Sequence, residues 1–380
     1  MRLTLKNTPE QNQLIQAMGS KNMTVSREAQ EAFGRLMGGV VQKLLLKAGT
    51  ASTIYVDAPY NEDTDNPSYP LDLYYNEGAN FVQVWSQSVA GGLPTSELTG
   101  MNELKIATYR LDSAVSLQKR YARKARLDII AKAVERMAQE VLVKQERNAW
   151  AVILRALAEA STSTATNVPN SSANPNAKHV LPSVTADVFS PDDFNNLLTL
   201  IKRINASFDG GTPAAPFSRG VTHLYFSPEV MAQVRAMAFN PIYPQSGTSF
   251  SQLPESARED IYRNAGMASL FGVNLVEMQE FGDGQKYNTL FNNFVTASQI
   301  VGPGSSSYWD SSTDQIIVGL DNSRGAFIRP VAKDGETDST FTAEVDDQYN
   351  IKRVDKIGWF GSLQEGRVCL DGRVAVGVAI

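Results

Sequence analysis

Between Ala48 and Leu104 the chain runs for 57 residues without a lysine or an arginine. The same stretch holds eight acids: Asp57, Glu62, Asp63, Asp65, Asp72, Glu77, Glu97 and Glu103. At the chain average of 35 bases in 380 residues, about five would fall there, so chance is a poor explanation of the gap. The next segment, Lys105 to Arg155, carries twelve bases, with Lys119, Arg120, Arg123, Lys124 and Arg126 close together. An acidic segment beside a basic one describes surfaces built to meet, within one subunit or between copies.

The acidic segment is also poorly equipped to fold alone. Ile54, Val56, Leu71, Leu73, Tyr74, Tyr75, Phe81, Val82, Val84 and Trp85 sit among Pro, Asn, Gly and Ser. Residues 81–86 (FVQVWS) have the β-branched and aromatic bias of a strand, and 61–67 and Gly91-Gly92 supply turn chemistry. The pattern predicts a long β-hairpin or a pair of extended arms, too short of apolar residues to be stable by itself.

Elsewhere the composition is that of a globular protein. Hydrophobic residues make up 42% and charged residues 20%, and 380 residues suffice for two or more lobes with substantial cores. The net charge of −5 argues against a global nucleic-acid footprint. One cysteine, Cys369, excludes an intramolecular disulfide and suits a reducing compartment. The basic start MRLTLKNTPEQN turns polar before any apolar run forms, so no secretory signal is expected, and no transmembrane helix either.

Helices and strands alternate irregularly along the chain. Residues Ala29, Phe33, Leu36, Met37, Val40, Val41 and Leu44 recur at spacings of three and four, which predicts an amphipathic helix. The strongest helical pattern covers Ala114 to Ala160, with Leu127, Ile130, Val134, Met137 and Val141 on one stripe, and its length allows a break within it. Residues 161–182 are Ser/Thr/Asn/Pro-rich and predict an exposed loop. Ser190-Pro191-Asp192-Asp193 opens a helix, and Ser227-Pro228-Glu229 opens another after the strand-like VTHLYF at 221–226. Further strands are expected at 270–279, 315–320, 341–345, 349–357, 367–370 and 374–380, giving an α+β fold.

Catalytic signatures are missing. There is no P-loop, GxSxG, HExxH or GxGxxG, and two histidines exclude a multi-histidine metal site. The polar flanks of His179 predict solvent exposure, while His223 lies in an apolar strand and reads as a satisfied core or interface histidine. Cys369, between Val368 and Leu370, reads as a small buried apolar residue. Residues 61–65 (NEDTD) resemble the start of a calcium loop, but no glycine follows and Pro67 interrupts it, so a solvated loop tip is the plainer reading. The basic run at 117–126 could touch phosphates, yet its acidic neighbour suits protein pairing better.

The order of these parts resembles the major capsid protein of tailed bacteriophages, the Hong Kong 97 type of fold. The resemblance covers roughly 25–380. Thr222-His223-Leu224-Tyr225-Phe226-Ser227-Pro228-Glu229 looks like that family's strand-then-helix step in its axial domain. Leu270-Phe271-Gly272-Val273-Asn274-Leu275-Val276 looks like its L-x-G-x-P-V phrase with Asn in the proline position, and Tyr349 through Arg373 looks like its returning strands.

The resemblance implies an N-terminal arm at 1–47 and an extended β-hairpin loop at 48–104. It implies a peripheral domain with a spine helix at 105–185, an axial domain at 186–335, and returning strands with the terminal strand at 336–380. It also implies hexamers and pentamers building an icosahedral shell around double-stranded DNA, in a virion assembled in the host cytoplasm. No catalysis, cofactor, metal or membrane is implied. The expected partners are other copies, a separate scaffolding protein, a portal, a decoration protein and DNA held by non-specific contact. A lysine-free loop implies no covalent cross-link from 48–104. The expected intersubunit residues are Asp57, Glu62, Asp63, Asp65, Asp72, Glu77, Tyr74, Tyr75 and Trp85 on the arm, with Tyr55 and Tyr60 adding apolar contact, facing Lys119, Arg120, Arg123 and Lys124. An encapsulin-type compartment shell is the alternative of the same fold, and an enzyme with an unrecognised site is a more distant one.

Overall fold

The structure is a computed structural model that describes residues 8–47, 49–61, 67–70, 103–124, 127–160, 179–208, 220–239, 269–295, 300–305, 308–333, 342–345 and 356–380. The chain begins with helices α1 (Pro9–Met18), α2 (Met23–Lys47) and α3 (Ala51–Ile54). Strands β1 (Val56–Asn61), β2 (Ser68–Pro70), β3 (Glu103–Lys105) and β4 (Tyr109–Gln118) lead to α4 (Lys119–Arg123) and the long α5 (Leu127–Ala160). Then come β5 (Val180–Pro182), α6 (Pro191–Phe208), β6 (His223–Phe226), α7 (Pro228–Phe239), β7 (Ser269–Leu270), β8 (Val273–Glu277) and α8 (Lys286–Phe294). The last strands are β9 (Ile316–Leu320), β10 (Phe327–Lys333), β11 (Thr342–Val345), β12 (Lys356–Glu365), β13 (Val368–Cys369) and β14 (Ala375–Ala379).

Two compact units divide the chain. One takes Met1–Tyr69, Lys105–Ala149 and Phe327–Val368; the other takes Pro70–Leu104, Trp150–Ala326 and Cys369–Ile380. Helix α5, 34 residues and about 51 Å long at 1.5 Å per residue, contributes to both.

In the first unit β12 is the organising strand. It pairs antiparallel with β4 along its whole length, Lys356↔Gln118 through Glu365↔Tyr109, and with β11 on its other side. Strand β10 joins β12 at Val331↔Glu365 and pairs in parallel with β1, which forms an edge of the sheet. The α5 stripe Ile130, Val134, Met137 and Val141 is buried with Phe33 of α2, Ile15 of α1, and Ile357, Trp359 and Leu363 of β12. The Trp359 ring packs against Phe33 at 5.2 Å, tilted by 49°, and donates its indole N–H to the Gln30 carbonyl at 3.3 Å. Leu36, expected on the buried stripe of α2, is exposed.

The helix expected to start at Ala114 starts later. Residues 109–118 form β4, whose side chains alternate between half-buried and exposed. Tyr109, Leu111, Ser113, Val115 and Leu117 share the inward parity, and this period of two, satisfied by the ten-residue ladder to β12, overrides a good local helix propensity. The helical pattern then divides into α4 and α5.

The second unit is built on a six-stranded mixed sheet in the order β5-β14-β9-β6-β8-β7. Strands β9 and β14 are buried on both faces, which explains their unbroken apolar runs. Phe194, Leu197 and Ile201 of α6 and Val230 and Val234 of α7 pack with Leu224, Phe226, Ile317, Val376 and Val378. Tyr225 has the opposite parity and packs on Trp150 at 4.9 Å; Phe281 and Tyr287 complete that aromatic cluster at 5.3 and 5.6 Å from Trp150. Helix α6 starts at the expected cap, where the Ser190 hydroxyl donates to Asp193 at 2.6 Å and accepts from the Asp193 N–H at 3.3 Å. The expected strand at 270–279 is a hairpin instead, because Phe271 and Gly272 both adopt positive φ between β7 and β8.

Candidate assembly surface

The first strand of the acidic segment is β1 of the first unit's sheet. Among the described residues β1 pairs with β10 alone, and Val56, Asp57, Pro59 and Asn61 are exposed along it. Pro59 has no N–H to offer a ladder, so it is tolerated on this edge strand. Short strands β2 and β3 pair with each other, and the Ile106 N–H donates to the Pro67 carbonyl at 3.0 Å. The two ends of the intervening stretch are therefore clasped together. Asp72, Tyr74, Tyr75, Glu77 and Trp85 lie in that stretch, outside the described residues, as do Glu62, Asp63 and Asp65 with the calcium-like loop.

Tyr55, expected to lend apolar contact to a neighbour, is instead buried within its own chain, and Tyr60 is half-buried on β1; Asp57 is the expected acid whose surroundings are described. Its carboxylate, half exposed, accepts from Arg329 Nη1 at 3.4 Å. Arg329 turns its Nε inward to Glu365 Oε2 at 2.8 Å. Glu365 has no exposed surface and also accepts from Gln145 at 3.1 Å, Tyr109 at 3.0 Å and Arg367 at 3.3 Å. Arg367 in turn lies 4.6 Å over the ring of Tyr55, whose hydroxyl donates to the Ala149 carbonyl at 2.9 Å. A carboxylate with two guanidinium partners and two neutral donors is a satisfied buried charge, which holds β10, β12, β4 and α5 in register. Burial, reinforced by the Glu365 charge, pushes the Tyr109 phenol up to about 12.

Sequence reasoning missed this network. A signal was present in the parity of β12: Ile357, Trp359 and Leu363 point inward, and Glu365 continues the same series. A charged residue on the inward parity of an apolar strand requires buried partners.

A second polar clasp fixes the start of the arm. The Glu146 carboxylate of α5 accepts from the Ala51 N–H at 3.0 Å and the Thr50 hydroxyl at 3.0 Å, capping α3. Gly49 just before it has φ +104, and a Cβ there would collide with the same carboxylate.

The four expected bases lie on or just after α4. Lys119 is half-buried, whereas Arg120 and Lys124 are exposed. The Arg120 guanidinium lies 4.9 Å over the Tyr121 ring and donates to its hydroxyl at 3.0 Å. Arg123 donates from Nε to the Gly19 carbonyl at 2.9 Å, tying α4 to the turn after α1. That approach is close: a Cβ on Gly19 would come within 2.8 Å of the Arg123 backbone nitrogen. Arg123 therefore positions the N-terminal helices as well as carrying charge.

The histidines and the cysteine occupy structural positions in the second unit. His179, expected in solvent, is completely buried: β5 begins directly after it and draws it into the sheet, with Nδ1 2.7 Å from the Ala375 carbonyl. His223 is half-buried beside Thr222 at 3.0 Å, Asn322 at 3.1 Å and Asn274 at 3.2 Å. Burial lowers the pKa of both rings. The Cys369 thiol is pushed up to about 12 by burial and the Asp371 charge, which leaves it a poor nucleophile. No group of three or more metal-binding side chains occurs among the described residues, and no described helix is long and apolar enough to cross a membrane.

No family model matches the chain, and no curated protein sequence matches it. Phage capsids are among the solved structures to which it is similar, at low identity. The capsid structure of cyanophage P-SCSP1u is 13% identical with a TM-score of 0.46, covering 87% of this chain and 88% of that one. A structure from Microbacterium phage Oxtober96 is 12% identical with a TM-score of 0.46, covering 88% and 91%. A virus-like particle from Pyrococcus furiosus is 13% identical with a TM-score of 0.40, covering 91% and 99%.

Proposed function

We propose that the chain is the major capsid protein of a tailed bacteriophage, self-assembling into hexamers and pentamers of an icosahedral shell around double-stranded DNA. The observation that carries this reading is the clasped base of the lysine- and arginine-free segment. The β2–β3 pairing and the bond from Ile106 to Pro67 make that segment an excursion leaving and re-entering at one place. An acidic, aromatic-bearing excursion with few core residues of its own is suited to covering a neighbour. The order of parts is that of the Hong Kong 97 type: N-terminal arm 1–47, extended loop 48–104, spine-helix domain 105–185, axial domain 186–335 and returning strands 336–380.

In this reading the acids Glu62, Asp63, Asp65, Asp72 and Glu77, with Tyr74, Tyr75 and Trp85, lie over another copy and face Lys119, Arg120 and Lys124. Asp57 and Arg123 anchor the two sides through the intrachain bonds described above. Each exposed charge contact contributes only about 0–1 kcal/mol, but repetition over a shell multiplies it and the pattern fixes register. The shell works without a catalytic site or cofactor. Its partners are a separate scaffolding protein, a portal, a decoration protein and the packaged DNA, in a virion assembled in the host cytoplasm.

The test is the content of purified particles. Packaged double-stranded DNA, measured by nuclease-protected nucleic acid, supports the capsid reading. Particles enclosing a cargo enzyme and no genome would replace it with a compartment shell.

A further inference from the structure

His179 ties an edge strand to its neighbour twice. Its carbonyl accepts from the Gly377 N–H at 2.8 Å, and its ring Nδ1 lies 2.7 Å from the Ala375 carbonyl. Strand β5 follows at once and runs parallel to β14, Val180↔Gly377 through Pro182↔Ala379, and Ser183 closes the pairing with an N–H to the Ala379 carbonyl at 2.8 Å. Strand β5 is the edge of the second unit's sheet.

A carbonyl oxygen only accepts, so Nδ1 carries the proton and the neutral ring leaves Nε2 bare. That atom is buried with no hydrogen-bond partner among the described residues. The charged groups acting on the ring are Asp371 and Arg373, on the segment leading into β14, and they act in opposite directions. They are bound to each other, Arg373 Nε to the Asp371 carboxylate at 3.1 and 3.3 Å, so neither is a dedicated counter-ion for imidazolium. A proton added at Nε2 would bring a charge and a donor into a place with no acceptor among the described residues.

We propose that His179 is a proton-released latch: its neutral ring holds β5 on β14, and acid frees β5 and opens the edge of β14. The sign follows from linkage. Burial holds the folded pKa below the ordinary 6.5, so the latch is fully closed above about 6.5 and weakens as pH falls toward the folded value. Opening exposes the ring to water, where it takes up the proton that the closed state refuses.

Hydrogen–deuterium exchange on the unassembled full-length protein tests this. After correction for intrinsic rates, the Gly377 and Ser183 amides should lose about tenfold protection for each pH unit below about 6.5, until the folded pKa is reached. The variant His179→Gln should show no such pH dependence. Protection in the wild-type protein that stays flat down to about pH 5 overturns the latch. Because the chain has only two histidines, nitrogen-15 histidine NMR on wild-type protein, assigned with His223→Gln, decides independently of whether His179→Gln folds. A neutral ring protonated at Nδ1 is expected, and one protonated at Nε2 overturns the proposal.

Discussion

Arg329 Nε donates to Glu365 Oε2 across 2.8 Å, with Glu365 fully closed off from water and Arg329 nearly so. This pair joins β10 to the end of β12 at the point where those strands meet. Removing the carboxylate leaves the Arg329 and Arg367 guanidinium groups without their shared anion. Glu365→Ala should cost about 3–5 kcal/mol of stability, read as a fall in the urea midpoint at unchanged slope. Asp57→Asn, at the half-exposed end of the same chain of contacts, should cost less than about 1 kcal/mol. Equal effects from the two would contradict the assignment of the anchor to Glu365.

Tyr109, donating to Glu365 at 3.0 Å, should ionise well above an ordinary phenol, near 12. Its folded pKa lies above the ordinary 10.0, so its contribution to stability is complete below about 10 and is lost as pH rises toward about 12. An ultraviolet titration should lose one phenol from the phase near 12 in Tyr109→Phe. An unchanged titration would place that phase elsewhere.

Gly49→Ala should destabilise the first unit by about 2 kcal/mol or more, since φ is +104 and the new Cβ meets Glu146. The double variant with Glu146→Ala should cost less than the sum of the two singles, because the collision has gone. Thermal melts of the four proteins measure the coupling, and strict additivity would contradict the clash.

Charge reversal separates docking from anchoring on α4. Arg120→Glu with Lys124→Glu should impair assembly far more than Lys178→Glu, measured as the fraction of protein in large particles. Arg123→Gln alone should instead loosen α1, seen as faster amide exchange there, because it removes the bond to the Gly19 carbonyl. Equal assembly by the double reversal and Lys178→Glu would end the electrostatic account.

The legible parts of the fold were those where one local pattern had no rival. The α5 stripe from Ile130 to Val141, the Ser190–Asp193 cap and the apolar runs of β9 and β14 are such patterns. Residues 109–118 carried two periods at once, and the choice fell to β12, some 240 residues away in sequence, which no local window includes. The polar flanks of His179 mislead for the same reason: they belong to the Ser/Thr/Asn/Pro-rich sequence before it, while its burial comes from pairing with β14 near the other end of the chain. The arm's compositional gap was legible, but its clasped base depends on Pro67 and Ile106 meeting across the segment they bracket.

Self-assembly is the central claim, and sedimentation of the expressed full-length protein followed by negative-stain microscopy tests it most directly. The account predicts closed, regular particles of many copies, with little protein left as monomer. A homogeneous monomer or dimer that forms no large particles, across the salt range in which exposed charge pairs act, would contradict it.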